Sequence, residues 1–138
     1  MGLIQQSPNL LEEFSTSENV AFPLLFDGMK RPHALKLAVE ALRGVGMAHR
    51  TDADIRSLSG GEAQRVAVAR ALVRPDVSLI VADEPTASLD VENARRVTEL
   101  LLSEADRHSA TVLLATHDPA VAALCDRTYH LTREHDAA

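Results

Sequence analysis

The stretch "VSLIVADEP", residues 77–85, constrains the chain more than any other. Its apolar run lacks polar alternation, so it predicts a central strand of a parallel sheet, buried on both faces. The run ends in two adjacent carboxylates, Asp83 and Glu84, followed by Pro85 and Thr86. In parallel sheets ligands bind beyond the carboxyl ends of the strands. Two neighbouring carboxylates at that edge repel each other and are poorly solvated, which disfavours a purely structural role. A division of labour accounts for them. Asp83 can hold Mg²⁺ through water. Glu84 can orient or deprotonate a water that attacks a phosphate.

The pattern continues with a long amphipathic helix over 89–108 and a second buried strand, "ATVLLATHD", over 110–118. A short helix over 119–126 and a third strand, "RTYHLT", over 127–132 follow. Such alternation predicts an open parallel α/β sheet with right-handed crossovers. The first half reads as helix and loop. Residues 1–14 are a short apolar lead-in and then a loop. Ser15, Thr16 and Ser17 offer N-cap oxygens to a helix through "ENVAFPLLF", which Gly28 ends. Pro32 opens a second helix with Leu35, Val39 and Leu42 on one face, stopped by Gly44 and Gly46. Residues 47–58 form a short helical turn or loop. A third helix over 60–74 buries Val66, Ala69, Leu72 and Val73, leaves Arg65 and Arg70 outside that stripe, and is ended by Pro75.

That third helix starts at Ser59-Gly60-Gly61-Glu62. A helix N-terminus carries free N–H groups and a positive dipole end. Two glycines let a phosphate approach the backbone, and the Ser59 hydroxyl adds a donor. Ser-Gly-Gly alone reads more readily as a serine-capped turn; its weight comes from the helix that follows. Thr116-His117-Asp118 ends the next strand on the same ligand edge, where a histidine can hydrogen-bond a terminal phosphate. Asp90 precedes the long helix and suits an N-cap. Gln5 and Gln6 follow an apolar pair. His33, His49, His108, His130 and His135 match no metal-binding spacing.

Acidic residues number 20 against 14 Lys and Arg, a net charge of −6, which argues against bulk binding to nucleic acid. The single cysteine, Cys125, lies in what reads as an apolar helix and fits a reducing compartment. No apolar run reaches the roughly 18–20 residues of a membrane span.

In order, these pieces resemble the ATP-binding subunit of ABC transporters. "LSGGEAQRVAVARAL" is similar to that family's signature motif, "SLIVADEP" to its Walker B strand, "ASLD" to its D-loop and "ATHD" to its switch histidine. "GLIQQSPNLL" followed by "ENVAFPLL" resembles the Q-loop and the helix after it. The match runs from residue 2 to about residue 131. "ENVAFPLL" and the alanine before Asp83 are closest to the lipoprotein-release and macrolide-export branch.

The resemblance implies a P-loop NTPase-like parallel sheet (partial, without its first strands). A helical subdomain over about 7–73 and a RecA-like α/β part over 74–138 go with it. It implies Mg²⁺ at Asp83, a catalytic carboxylate at Glu84 and a γ-phosphate contact from His117. Gln6 would touch the metal or the attacking water. Ser59, Gly60, Gly61 and Glu62 would meet ATP held by an opposing protomer, with Asp90 at the same interface. Partners would be a second ATP-binding subunit and transmembrane permease subunits. The location would be the cytoplasm, peripheral on the inner face of the membrane.

One part of the pattern is missing from these residues. A P-loop needs G-x-x-x-x-G-K-[ST], and none of the six glycines (Gly2, Gly28, Gly44, Gly46, Gly60, Gly61) is followed by Lys-Ser or Lys-Thr. The expectation is therefore the C-terminal two-thirds of such a subunit. Alone it should bind ATP poorly and be marginally stable, with one apolar edge of "TVLLATH" unpaired. A non-hydrolysing docking module that lends its signature motif in trans is the alternative reading. The head lobe of a chromosome-maintenance ATPase is disfavoured, because no heptad run leads into residue 56.

Overall fold

The computed structural model describes residues 1–131. Three parallel strands form its sheet in the order β1–β2–β3. They are β1 (Gly2–Gln5), β2 (Leu79–Asp83) and β3 (Thr111–Ala115). β2 is central as expected. Ile4 lies opposite Ala82, and Ile80 opposite Val112.

The helices are α1 (Thr16–Phe26), α2 (Arg31–Gly44), α3 (Gly60–Leu72), α4 (Val91–Arg107) and α5 (Pro119–Ala122). Two single 3₁₀ turns, Ala48–Arg50 and Ile55–Ser57, fill the stretch between α2 and α3. α1 begins with a capping box: Ser15 Oγ accepts from the Glu18 N–H, and Glu18 Oε2 accepts from the Ser15 N–H. Gly28 ends α1 at φ +86°. Gly44 has a different task from the stop expected of it. It is the last residue of α2, and a Cβ there would lie 2.7 Å from Glu104 Oε2. The bare glycine thus makes room for a buried carboxylate, which Arg107 pairs at 3.1 Å. The chain turns at Gly46 instead, with φ +72°.

α3 lies between the other helices and the sheet. Val66, Ala67, Val68, Ala69 and Leu72 are all buried, so it is surrounded on most sides. α1 and α2 pack on it through Val20, Leu24, Ala38 and Leu42, and the sheet offers Ile4, Ile80 and Ala82 to the same cluster. α4 adds Val97, Leu101 and Ala105, spaced four apart along its inner stripe. Each buried Val, Leu or Ile of this cluster contributes roughly 1.5–3 kcal/mol on burial.

Four expectations are corrected. Residues 2–5 form a strand, not a loop lead-in. Their partner is β2, more than seventy positions away in the chain, and four residues carry too little periodicity to reveal it. Residues 127–131 form no strand; Tyr129 is 79% exposed and Leu131 98%. A strand needs a neighbour, and β3 has one only on its β2 side among the described residues. Thr132, the end of that expected strand, lies outside them. The sheet is also not buried on both faces. Ile4, Ile80 and Ala82 point into the core, while Leu3 (51% exposed) and Leu113 (63%) stand on an open face. Unbroken hydrophobicity therefore marks a strand that is suited to a double cover without having one among the described residues. Finally, Cys125 lies beyond α5 in a bend, half-buried.

Candidate nucleotide site

The site starts at the carboxyl ends of the strands. Asp83 is the last residue of β2, level with Gln5 on one side and Ala115 on the other. It is exposed, and it shares an open cleft of ≈ 540 Å³ with Gln5, Gln6, Ser7, Pro8, Asn9 and Ser88. The fold thus brings Gln6 and Asp83 together from positions far apart in sequence.

Glu84 follows at φ +46°, a left-handed backbone that side chains rarely adopt. Such strain persists where the surroundings enforce it, and it gathers at functional sites. The Glu84 N–H donates to the Ala115 carbonyl at 2.9 Å, which ties the turn to β3. Its Oε1 accepts from the His117 N–H at 3.0 Å and lies 2.6 Å from His117 Nδ1. The hydrogen bond to Glu84, with its negative charge, raises the His117 pKa above the ordinary 6.5. The imidazole is 81% exposed and reachable from solvent. Thr116 Oγ1 accepts from the Asp118 N–H, and Asp118 caps α5, so the segment after β3 is held on both sides of His117.

The turn before α3 is preformed. Ser59 Oγ accepts from the Glu62 N–H at 3.2 Å, and Glu62 Oε2 accepts from the Ser59 N–H at 2.9 Å, a second capping box. The N–H groups of Gly60 and Gly61 have no helical carbonyl behind them. A Cβ at Gly60 would meet Leu89 Cδ2 at 3.3 Å, and one at Gly61 would meet Asn93 Oδ1 at 3.5 Å. Asp90 caps α4 beside them, accepting from the Asn93 N–H at 3.2 Å. Hydrogen bonds from Asn93, side chain first, lower the Asp90 pKa. Ser59, Gly60, Gly61 and Glu62 do not line the Gln6–Asp83 cleft.

Three residues escaped the sequence reading. Arg50 Nη2 donates to the Ser57 carbonyl at 2.9 Å and its Oγ at 3.0 Å, and lies 3.8 Å from Glu62, bracing the approach to the turn. Arg70, expected outside the buried stripe, donates to the Pro8 and Asn9 carbonyls, and burial lowers its pKa. Gln64 is 1% exposed. A signal for Gln64 exists: positions 64, 68, 71 and 72 share a helix face, and the last three are apolar.

Among the described residues no group of three or more His, Cys, Asp or Glu side chains is placed to hold a metal. One exposed carboxylate with a neighbouring amide still fits Mg²⁺, which keeps most of its waters and binds one or two carboxylates plus phosphate oxygens.

The sequence profile of the ABC transporter family matches residues 1–87. The chain belongs to the ABC transporter family. It is 44% identical over 131 residues to the lipoprotein-releasing system ATP-binding protein LolD of Treponema denticola, covering 95% of this chain and 58% of that one. It is 45% identical over 136 residues to LolD of Psychrobacter arcticus, covering 98% and 60%. These relatives fall in the branch that "ENVAFPLL" and Ala82 suggested. Among solved structures, it resembles the ATP-binding cassette MJ0796 in a dimeric post-hydrolysis state bound to ADP and Pi. That match has TM-score 0.70 and 34% identity, over 87% of this chain and 53% of that one. CbiO1 of Clostridium perfringens, part of the complex cbiONQ, matches with TM-score 0.79 and 30% identity over 89% and 49%. The chain thus spans about 58% of the first of these relatives. No helix among the described residues is long and apolar enough to cross a membrane.

Proposed function

We propose that this chain is the signature-bearing part of an ATP-binding subunit that powers lipoprotein release through a membrane permease. The observation that carries the reading is the shared cleft of Gln6 and Asp83, with Glu84 and His117 hydrogen-bonded at the next strand end. Asp83 and the Gln6 amide would hold Mg²⁺, which supplies positive charge to the phosphate oxygens. Glu84 would orient or deprotonate the attacking water. His117 would donate to the γ-phosphate, which requires its imidazole to turn from Glu84. Gly60 and Gly61 would present bare N–H groups to the γ-phosphate of a nucleotide on the opposing subunit, and Ser59 its hydroxyl. Asp90, fixed as the α4 cap, would sit at that interface.

A second reading is favoured by one specific observation. The Ser59–Glu62 turn is fully formed, yet the 138 residues contain no phosphate-cradling G-x-x-x-x-G-K-[ST]. The chain then lends its turn in trans and hydrolyses nothing itself. Calorimetric titration of the chain with MgATP separates the two. Binding with release of phosphate, lost in Glu84→Gln, supports hydrolysis. Binding by a mixture with full-length LolD that exceeds the binding of LolD alone, with none by the chain alone, supports the trans role. No binding by the chain alone and no excess in the mixture contradicts both.

A further inference from the structure

Three backbone segments at the strand ends are held by one helix. Gln64 Nε2, on α3, donates to the carbonyl of Gln5 at 3.0 Å, immediately before Gln6. The same nitrogen donates to the carbonyl of Pro85, immediately after Glu84. Farther along α3, Arg70 Nη2 donates to the Pro8 carbonyl at 2.6 Å, and Nη1 to the Asn9 carbonyl at 2.9 Å. The loop from Gln6 to Asn9 is therefore pinned at both ends. Asn9 itself sits at φ +47°, and its Nδ2 donates to Gln5 Oε1 at 2.6 Å, closing the loop on itself.

Gln64 pays no obvious dividend as packing. It is almost fully buried, and its Oε1 finds no hydrogen-bond donor. A buried acceptor left unmet lowers stability, so an apolar side chain of equal size would serve a core better. What an apolar residue could not do is donate to two carbonyls at once.

We propose that Gln64 and Arg70 are positioning residues, tying the loop that bears Gln6 and the turn that bears Glu84 to α3. Both side chains then keep one station relative to the Ser59–Glu62 turn that opens the same helix. The bearing of this clamp on hydrolysis rests on the function proposed above; the clamp itself does not.

Hydrogen exchange of the nucleotide-free chain tests it. Gln64→Met keeps the volume and removes both donors and the unmet acceptor. The clamp predicts a melting midpoint within ~4 °C of the parent. It also predicts roughly tenfold faster exchange at the Ala87 and Leu89 amides, which close the turn after Glu84, with α1 amides unchanged. Arg70→Met should instead speed exchange at Leu11, whose amide donates to Asn19 Oδ1, and Arg70→Lys should restore part of the protection. Unchanged exchange at these positions overturns the proposal. So does a uniform rise or loss of the fold in Gln64→Met, which is the mark of a merely structural residue. The readout uses no nucleotide, so its failure is separable from failure of the ATP reading.

Discussion

Glu84 carries two signatures at once, a strained backbone and a carboxylate engaged by His117. The pair has a pH dependence with a definite sign. Glu84 raises the His117 pKa, so the protonated imidazole is the form that the contact favours. The contribution is complete below the unfolded value near 6.5 and is lost as pH climbs through the raised folded value. A proton NMR titration of His117 without metal should give a midpoint above 6.5, falling back toward it in Glu84→Gln. An unchanged midpoint in the variant would mean that the carboxylate is not the cause. The positions of Asp83, Glu84 and His117 were legible because Asp83 ends β2, Glu84 follows it and His117 lies just beyond β3, at the edge where the fold class puts ligands. Gln64 and Arg70 were not, because their acceptors are carbonyls of another segment. A sequence shows a polar residue on a buried helix face, but not which backbone awaits it.

At the scale of elements, caps and glycines do most of the local specification. Ser59→Ala removes the acceptor for the Glu62 N–H and should cost about 1 kcal/mol, read as a lowered urea midpoint. Gly44→Ala drives a methyl to within 2.7 Å of buried Glu104, and overpacking there should cost roughly 1–3 kcal/mol in the same measurement. If Gly44→Ala is neutral, Glu104 has room to move and the close fit is not needed. The helices were readable from their stop signals and 3.6-residue stripes. β1 was not, since its four residues acquire strand character only by pairing with β2. The expected strand over 127–132 had the right residue types, but across 127–131 it has no strand partner among the described residues.

For the molecule as a whole, the sheet decides behaviour. Its inner face is packed, while Leu3 and Leu113 lie on an open face and β3 keeps an unpaired edge among the described residues. Apolar surface beside an open edge favours association. Sedimentation velocity should therefore show self-association that grows with concentration, and urea should unfold the chain with a low midpoint. A monomer with a cooperative, high-midpoint transition would contradict this. The central claim is that Ser59, Gly60 and Gly61 act on a phosphate held by another subunit. Gly61→Ala isolates that role, because its Cβ would make only ordinary contact with Asn93, 3.5 Å away. The deciding measurement is the ATPase rate of full-length Treponema denticola LolD at fixed concentration, titrated with this chain and with its Gly61→Ala variant. The account predicts a saturable change in rate with the parent chain and a much smaller one with the variant; identical, flat titrations for both would contradict it.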